Sequence, residues 1–284
     1  MTDAEIFDRN ARRRSRDRAA PSFADHDFLR AAMIEGLVDR LASVKRAFVD
    51  MLDLGCFDGS VPAPDGARVA RLDPGFAFAR SAGAVQADED RPPFADASFD
   101  LIVSAGVLDT VNDLPGALLL ARRMLRPDGL FLAAFLGAPS LPTLRAALRS
   151  ADADEPAPHL HPQVDVRAAG DLLSRAGFAL PVADSETLDV RYPHVGRLVK
   201  DLRGMAGGNL LPGRRPFTRE RAGRLAEAFQ SAADPDGRVA ERFTLLFLTG
   251  WSPSPDQPKP AKRGSGVTSL VHALGPGGVR SGDQ

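Results

Sequence analysis

The sequence is poor in the residues that staple extracellular scaffolds or anchor membrane proteins. It holds one cysteine, Cys56, in 284 residues. No internal disulfide framework is available, and a reducing, cytoplasmic compartment is the expectation. No apolar run approaches the roughly 20 residues that a membrane-spanning helix needs. Net charge is nearly absent: 36 Lys and Arg stand against 37 Asp and Glu, giving −1 at pH 7. No global field therefore draws the chain to nucleic acid or to a membrane surface. The start, MTDAEIFDRNARRRSRDRAA, lacks the apolar stretch of a secretory signal, and Asp3, Glu5, Asp8 and Asp17 argue against a mitochondrial presequence. There is no internal repeat. A glycine loop ending in lysine is missing, so no triphosphate cradle is expected. The five histidines are scattered, and no His/Cys cluster has the spacing of a metal site.

What is present is a core-forming composition, 44% hydrophobic and 26% charged, arranged in alternating elements. Residues 1–20 form a basic amphipathic segment, read as a helix that is either a solvated face or a docking arm for an acidic partner. Pro21 ends it. Residues 25–45 place Phe28, Leu29, Met33, Leu37, Val38 and Leu41 at helical spacing, with Asp25 as N-cap. Strands are predicted at FVDMLDL ending at Gly55, at 67–73, 84–88, 99–106, within 126–137, at 179–188 and at 242–251. Helices are predicted at 114–125, with Pro115 in its first turn, at 164–178, stopped by Gly177, and twice within 193–232. This order predicts an α/β, Rossmann-like, seven-stranded doubly wound sheet, mostly parallel, with one antiparallel strand at the sheet's end. Three regions follow: a basic arm and helix (1–45), a main domain (46–251) with a helical insert (186–232), and a tail (252–284). The tail, rich in Pro and Gly, is predicted to be largely disordered, with a short helix possible only at TSLVHAL.

Ligands of such sheets sit beyond the carboxyl ends of the strands, near the switch in strand order. Asp53, Gly55 and Gly59 fall at the first end and Asp73 at the second. Asp88, Glu89 and Asp90 fall at the third, and Ser104 to Asp109 at the fourth. A carboxylate accepts two hydrogen bonds from a vicinal diol, and glycine lets backbone approach a ligand closely. Three acidic strand ends suit a ribose, an amino group and an adenine edge. The plainer alternatives stay open: Asp53 and Asp73 as helix caps, Asp88 to Asp90 as a solvated loop.

The stretches LDLGC, FDLIVSAGVL with VNDLPGAL, and LRPDGLFLAAF resemble the class I S-adenosylmethionine-dependent methyltransferases over about residues 45–185. IFDRNARRRSRDRAA, VNDLPGALLLARRMLRPDG, GDLLSRAGF, DLRGMAGGN and KRGSG extend the likeness over nearly the whole chain, to the respiratory complex I assembly-factor family of this fold. The resemblance implies S-adenosyl-L-methionine as cofactor and a protein partner, a complex I subunit, modified at an arginine by methylation or hydroxylation. It leaves peripheral membrane association open. It also implies that Asp53, Gly55 and Gly59 form the methionine-side loop, that Asp73 holds the ribose and that Asp88 and Glu89 flank the adenine. Ser104 to Val111 would line the reacting end. Within that stretch Asp109 is read from its own chemistry as the catalytic carboxylate, able to orient or deprotonate a guanidinium.

Three departures from that pattern stand out. Phe57 replaces the middle glycine of the loop, where a positive φ is costly for a side chain. Only 7 residues separate Gly59 from Ala67, and Pro62, Pro64 and Gly66 are among them. The helix that should follow the loop is therefore predicted to be lost. Asp109 and Thr110 stand where the family carries His-Trp. The expected function is an S-adenosylmethionine-dependent enzyme acting on a protein arginine; the alternatives are a catalytically silent assembly chaperone and a small-molecule methyltransferase with residues 186–232 as its lid.

Overall fold

In chain order the elements are α1 (Arg9–Ala19), a 3-10 segment (Ala20–Asp25), α2 (Phe28–Ala42), β1 (Asp50–Leu54), β2 (Arg68–Asp73), α3 (Phe76–Ala82) and β3 (Val85–Gln86). Then come β4 (Phe99–Ala105), a 3-10 turn (Leu108–Thr110), α4 (Leu114–Met124), β5 (Leu125–Gly137), α5 (Pro142–Asp152) and α6 (Val166–Arg175). β6 (Ala179–Tyr192), α7 (Val195–Gly204), α8 (Arg219–Gln230) and β7 (Val239–Trp251) complete the chain. The computed structural model describes residues 5–152, 157–214, 217–255 and 257. The expected tail helix and the KRGSG stretch lie outside the described residues.

The seven strands form one sheet in the order β3-β2-β1-β4-β5-β7-β6. Neighbours from β3 through β5 run parallel, and β7 is antiparallel to both β5 and β6. Strand order reverses between β1 and β4, so the switch point lies where the two strands bearing Asp53 and Ser104 adjoin. Alternate side chains feed two cores, one on each face. Leu52, Leu54, Ile102, Phe131 and Phe135 pack with α4 and α6. Met51, Leu101, Val103, Leu130 and Leu132 pack with α2, α5 and α8. Burying each such side chain contributes about 1.5–3 kcal/mol, which makes the register of the central strands hard to shift.

Local signals account for most helix ends. Asp8 caps α1 by accepting from the Ala11 N–H, Asp113 caps α4 through Gly116, and Asp165 caps α6 through Ala168. Gly177 follows α6 at φ 84° and its N–H reaches the Ser174 carbonyl. No helix joins β1 to β2; residues 55–67 form turns, as Pro62, Pro64 and Gly66 predict.

Five expectations need correction. Asp25 ends the 3-10 segment instead of capping α2, whose N-cap position is Asp27. β6 continues to Tyr192 because it ladders with β7 along its whole length, so the helical insert begins after it and not at residue 186. β7 is not at the edge but lies between β5 and β6. β3 shrinks to two residues, leaving Asp88 in the following loop. Helix α5 was not expected at all; an amphipathic run with Leu144, Ala147, Leu148 and Ala151 on its buried side forms it.

Candidate cofactor cradle, closed by the N-terminal helix

The loop after β1 keeps its outer glycines for backbone reasons. Gly55 has φ 83°, and a Cβ there would lie 2.5 Å from the Val107 side chain. Gly59 has φ 76° and abuts the Arg71 guanidinium stem. Phe57, in the middle, also takes a left-handed conformation, φ 49°, which costs a non-glycine residue about 1–2 kcal/mol. Its side chain offsets that strain. The ring is buried, stacks on Phe23 at 4.8 Å between centroids and meets the Phe78 ring edge-on at 5.3 Å. Such aromatic pairs contribute about 0.5–1.5 kcal/mol each beyond area burial. The Phe57 N–H donates to Asp73 Oδ2 at 2.9 Å.

The acidic strand ends meet not an open cleft but α1. Arg9, Arg12, Arg13 and Arg16 stand at i, i+3, i+4 and i+7, one face of a helix, and that face is laid across the cradle. Arg16 makes a two-pronged pair with Asp73, Nε to Oδ1 at 2.9 Å and a second nitrogen to Oδ2 at 2.5 Å. Its guanidinium carbon sits 3.7 Å from the Phe57 ring centroid. Asp73 also accepts from the Gly75 N–H at 2.8 Å, so both of its oxygens are committed. Arg12 grips Glu89 at 2.6 and 3.0 Å and reaches the Thr110 hydroxyl and the Val107 carbonyl. Burial opposes the Arg12 charge, yet the facing Glu89 holds its pKa above the ordinary value. Arg13 pairs with Asp88 at 2.7 Å and Arg9 with Asp90 at 2.7 Å. Asp73, Asp88, Glu89, Arg12 and Arg16 are all buried. Further bonds fasten the helix at both ends. The Asn112 side chain brackets the Phe7 backbone at 2.7 and 3.0 Å, and Asp17 accepts from the Ala77 N–H at 2.9 Å. Even Gly75 is covered, since a Cβ there would meet the Arg16 Cβ at 2.7 Å.

Two carboxyls remain outside this network. Asp53 is completely buried at the end of β1, and neither oxygen has a hydrogen-bond partner. Burial pushes its pKa up to about 7, against the pull of Arg30 and Arg71. Arg30 in turn is lowered by burial while it holds Asp58, Ser60 and the Cys56 carbonyl. Asp109, half-buried in the 3-10 turn after β4, is raised to about 6, chiefly by burial. The Ser104 hydroxyl donates to the Leu54 carbonyl at 2.8 Å and ties β4 to β1, a structural bond that the sequence did not predict.

The space left beside Phe57, bounded by Arg16, Gly106 and Asp109, is about 60 Å³. Pockets that hold a ligand of cofactor size run to about 300–1,000 Å³. The expected cofactor residues Asp53, Asp73, Asp88 and Glu89 are brought to one end of the sheet, as read from the sequence. Yet the Asp73, Asp88 and Glu89 carboxylates are taken by arginines of the same chain, and the Phe57 ring lies under the Arg16 guanidinium. The cradle as folded does not fit S-adenosylmethionine; α1 would have to leave first. The arginines of α1 are the residues sequence reasoning missed. The signal was their helical spacing, four on one face, matched by four carboxylates at 73 and 88–90.

Known proteins resemble the chain in fold and in sequence. The methyltransferase domain family matches residues 52–133. The YcgJ protein of Bacillus subtilis superposes with a TM-score of 0.53 at 17% identity, over 79% of this chain and 99% of that one. Haemonchus contortus phosphoethanolamine N-methyltransferase 2, solved with S-adenosyl-L-methionine, gives 0.52 at 13% identity, over 83% and 57%. Sheet order, switch point and these likenesses define a class I methyltransferase fold. Sequence relatives narrow the class. The mitochondrial arginine-hydroxylase NDUFAF5 of Danio rerio is 32% identical over 94% of this chain and 88% of its own length, and that of Homo sapiens 31% over 97% and 87%. A malonyl-[acyl-carrier protein] O-methyltransferase of Methylovorus sp. is 32% identical over 88% and 91%. The chain belongs to the family of the NDUFAF5 arginine-hydroxylases.

Proposed function

We propose that this chain is a methyltransferase-fold assembly factor that works by binding a protein partner, a subunit of respiratory complex I, and does so without S-adenosylmethionine in its cradle. The observation that carries this reading is the Arg16–Asp73 pair stacked on Phe57: the carboxylate that would hold a ribose diol holds the chain's own guanidinium. The family relationship supports the assembly role. The N-terminal lock and the absence of the helix between β1 and β2 favour the silent reading over an enzyme. Among the described residues no helix is long and apolar enough to cross a membrane. The single cysteine suits a reducing compartment, and the cytoplasm is the proposed place of work.

A second reading rests on Asp53. A fully buried carboxyl with both oxygens unpartnered is an acceptor waiting for a donor, at the end of the cradle where the resemblance sets the methionine side of the cofactor. On that reading α1 swings away, S-adenosylmethionine enters, and Asp109 orients an arginine of the partner. Calorimetric titration of the full chain with S-adenosylmethionine and S-adenosylhomocysteine decides between the two. The closed reading expects no saturable heat below about millimolar ligand, since two lost charge-assisted contacts of about 1.5–3 kcal/mol each take a micromolar site there. Low-micromolar binding by the wild type would overturn it and restore the enzyme.

A further inference from the structure

The face of α1 that turns away from the cradle borders a cavity of about 670 Å³. Its floor is small or apolar: Ala11, Gly204 and Leu210. Its other walls carry cations from three separate segments, Arg18 on α1, Lys200 and Arg203 on α7, and Arg214 in the loop beyond. No carboxylate lines it. Arg18, Lys200 and Arg203 are exposed, and none is in an ion pair with a described residue. Arg214 donates to the Asn209 carbonyl at 3.0 Å and has Asp8 as its acidic neighbour, at 3.9 Å. The acid nearest in the bonding pattern, Asp201, is buried and already engaged by His26 at 2.8 Å and by Arg197. In a chain of net charge −1, where every buried arginine of α1 has found a carboxylate, an opening with three unneutralised cations on its walls is a specific feature of this place.

We propose that this cavity between α1 and α7 is a docking site for an acidic segment of a partner protein, a site that deepens the reading of the chain as a partner-binding assembly factor and rests on it. The chemistry favours a peptide over a compact phosphate. The cations are exposed, sit on long stems and come from three separate segments. The Ser15 hydroxyl is spent on the Ala206 carbonyl, so no cluster of free donors gathers at the floor. A strand or loop with carboxylates at its margins and a small aliphatic side chain toward Ala11 and Leu210 satisfies both the rim and the floor. Because α1 forms one wall, an occupant there also braces the helix that closes the cradle.

The test uses the full chain and a fluorescein-labelled peptide of repeating Glu-Leu-Glu-Gly, followed by anisotropy. The wild type is expected to bind saturably, and Arg18→Gln/Lys200→Gln/Arg203→Gln to bind about tenfold more weakly or worse, each exposed ion pair contributing a factor of about two to five. A control that removes the same charge elsewhere, Arg80→Gln/Arg167→Gln/Arg175→Gln, is expected to bind like the wild type. All six positions are exposed, so both variants are expected to fold, checked by circular dichroism. Equal weakening in both variants overturns the site in favour of a bulk charge effect. No peptide binding, with phosphatidylglycerol vesicles captured instead and released by the first variant, overturns it in favour of a lipid surface. Inorganic phosphate binding with no peptide binding overturns it in favour of a small anion. None of these outcomes touches the S-adenosylmethionine titration, so the docking site and the closed cradle stand or fall separately.

Discussion

The two faces of α1 carry the same kind of residue and do opposite things. On the inner face Arg9, Arg12, Arg13 and Arg16 each hold a carboxylate, and Arg12 and Arg16 are buried with theirs. On the outer face Arg18 stands exposed at the mouth of a cavity that no acid lines. The difference teaches that an arginine-rich helix is not one basic patch. Where its charges meet preplaced carboxylates at low dielectric they become structure, and removing one leaves an uncompensated buried charge. Where they meet only water they contribute little to stability and remain available to a partner.

The contrast is broken most sharply at Arg16. Arg16→Ala strands Asp73 in a fully buried position, and a loss of about 3–5 kcal/mol in urea unfolding is expected. A change below about 1 kcal/mol would mean that the pair is not closed in solution. Next comes the ring beneath it. Phe57→Gly removes a buried phenyl, worth about 3–5 kcal/mol, and relieves a left-handed residue of about 1–2 kcal/mol of strain. The net expectation is a loss of about 1–4 kcal/mol by the same measurement. Because α1 stays in place, the variant is expected to gain S-adenosylmethionine affinity only in part.

Asp53 comes third and is read through pH. Its folded pKa, about 7, lies above the ordinary value of about 4, so the native state binds the extra proton between those values. Stability from this group is therefore complete below about pH 4 and is lost as pH rises toward 7. Asp53→Asn is expected to flatten that loss, with a gain over wild type of about 1–3 kcal/mol at pH 8 and almost none at pH 4. Paired unfolding curves at the two pH values check the sign. The smallest effect closes the comparison: Arg18→Ala on the outer face is expected to change stability by less than about 0.5 kcal/mol, against the large loss at Arg16 two residues earlier.

Much of this was legible in the residues. Alternating apolar runs gave the parallel strands, and Pro62, Pro64 and Gly66 in a span of 7 residues left no room for a helix after β1. Asp73, Asp88 and Glu89 were expected at one end of the sheet and are found there. What was not legible is what those carboxylates touch. The basic segment was open to a solvated face or to an acidic partner, and the acids it docks on belong to its own chain. β6 and α5 were misjudged for a related reason. An edge strand such as β6 is largely exposed and lacks a continuous apolar run, so only its ladder with β7 sets where it ends.

By itself the sequence determined the class of fold, the places where strands end in carboxylates, and the loss of one helix, because periodicity, proline and glycine act over a few residues. Only the tertiary structure decided that the cradle is shut. With 36 basic and 37 acidic side chains the possible pairings are many, and local pattern ranks none of them. Arg16 finds Asp73 across 57 residues, and Arg12 finds Glu89 across 77. The packing of Phe23, Phe57 and Phe78 brings the helix down onto the sheet, and burial makes those pairs strong enough to hold it there.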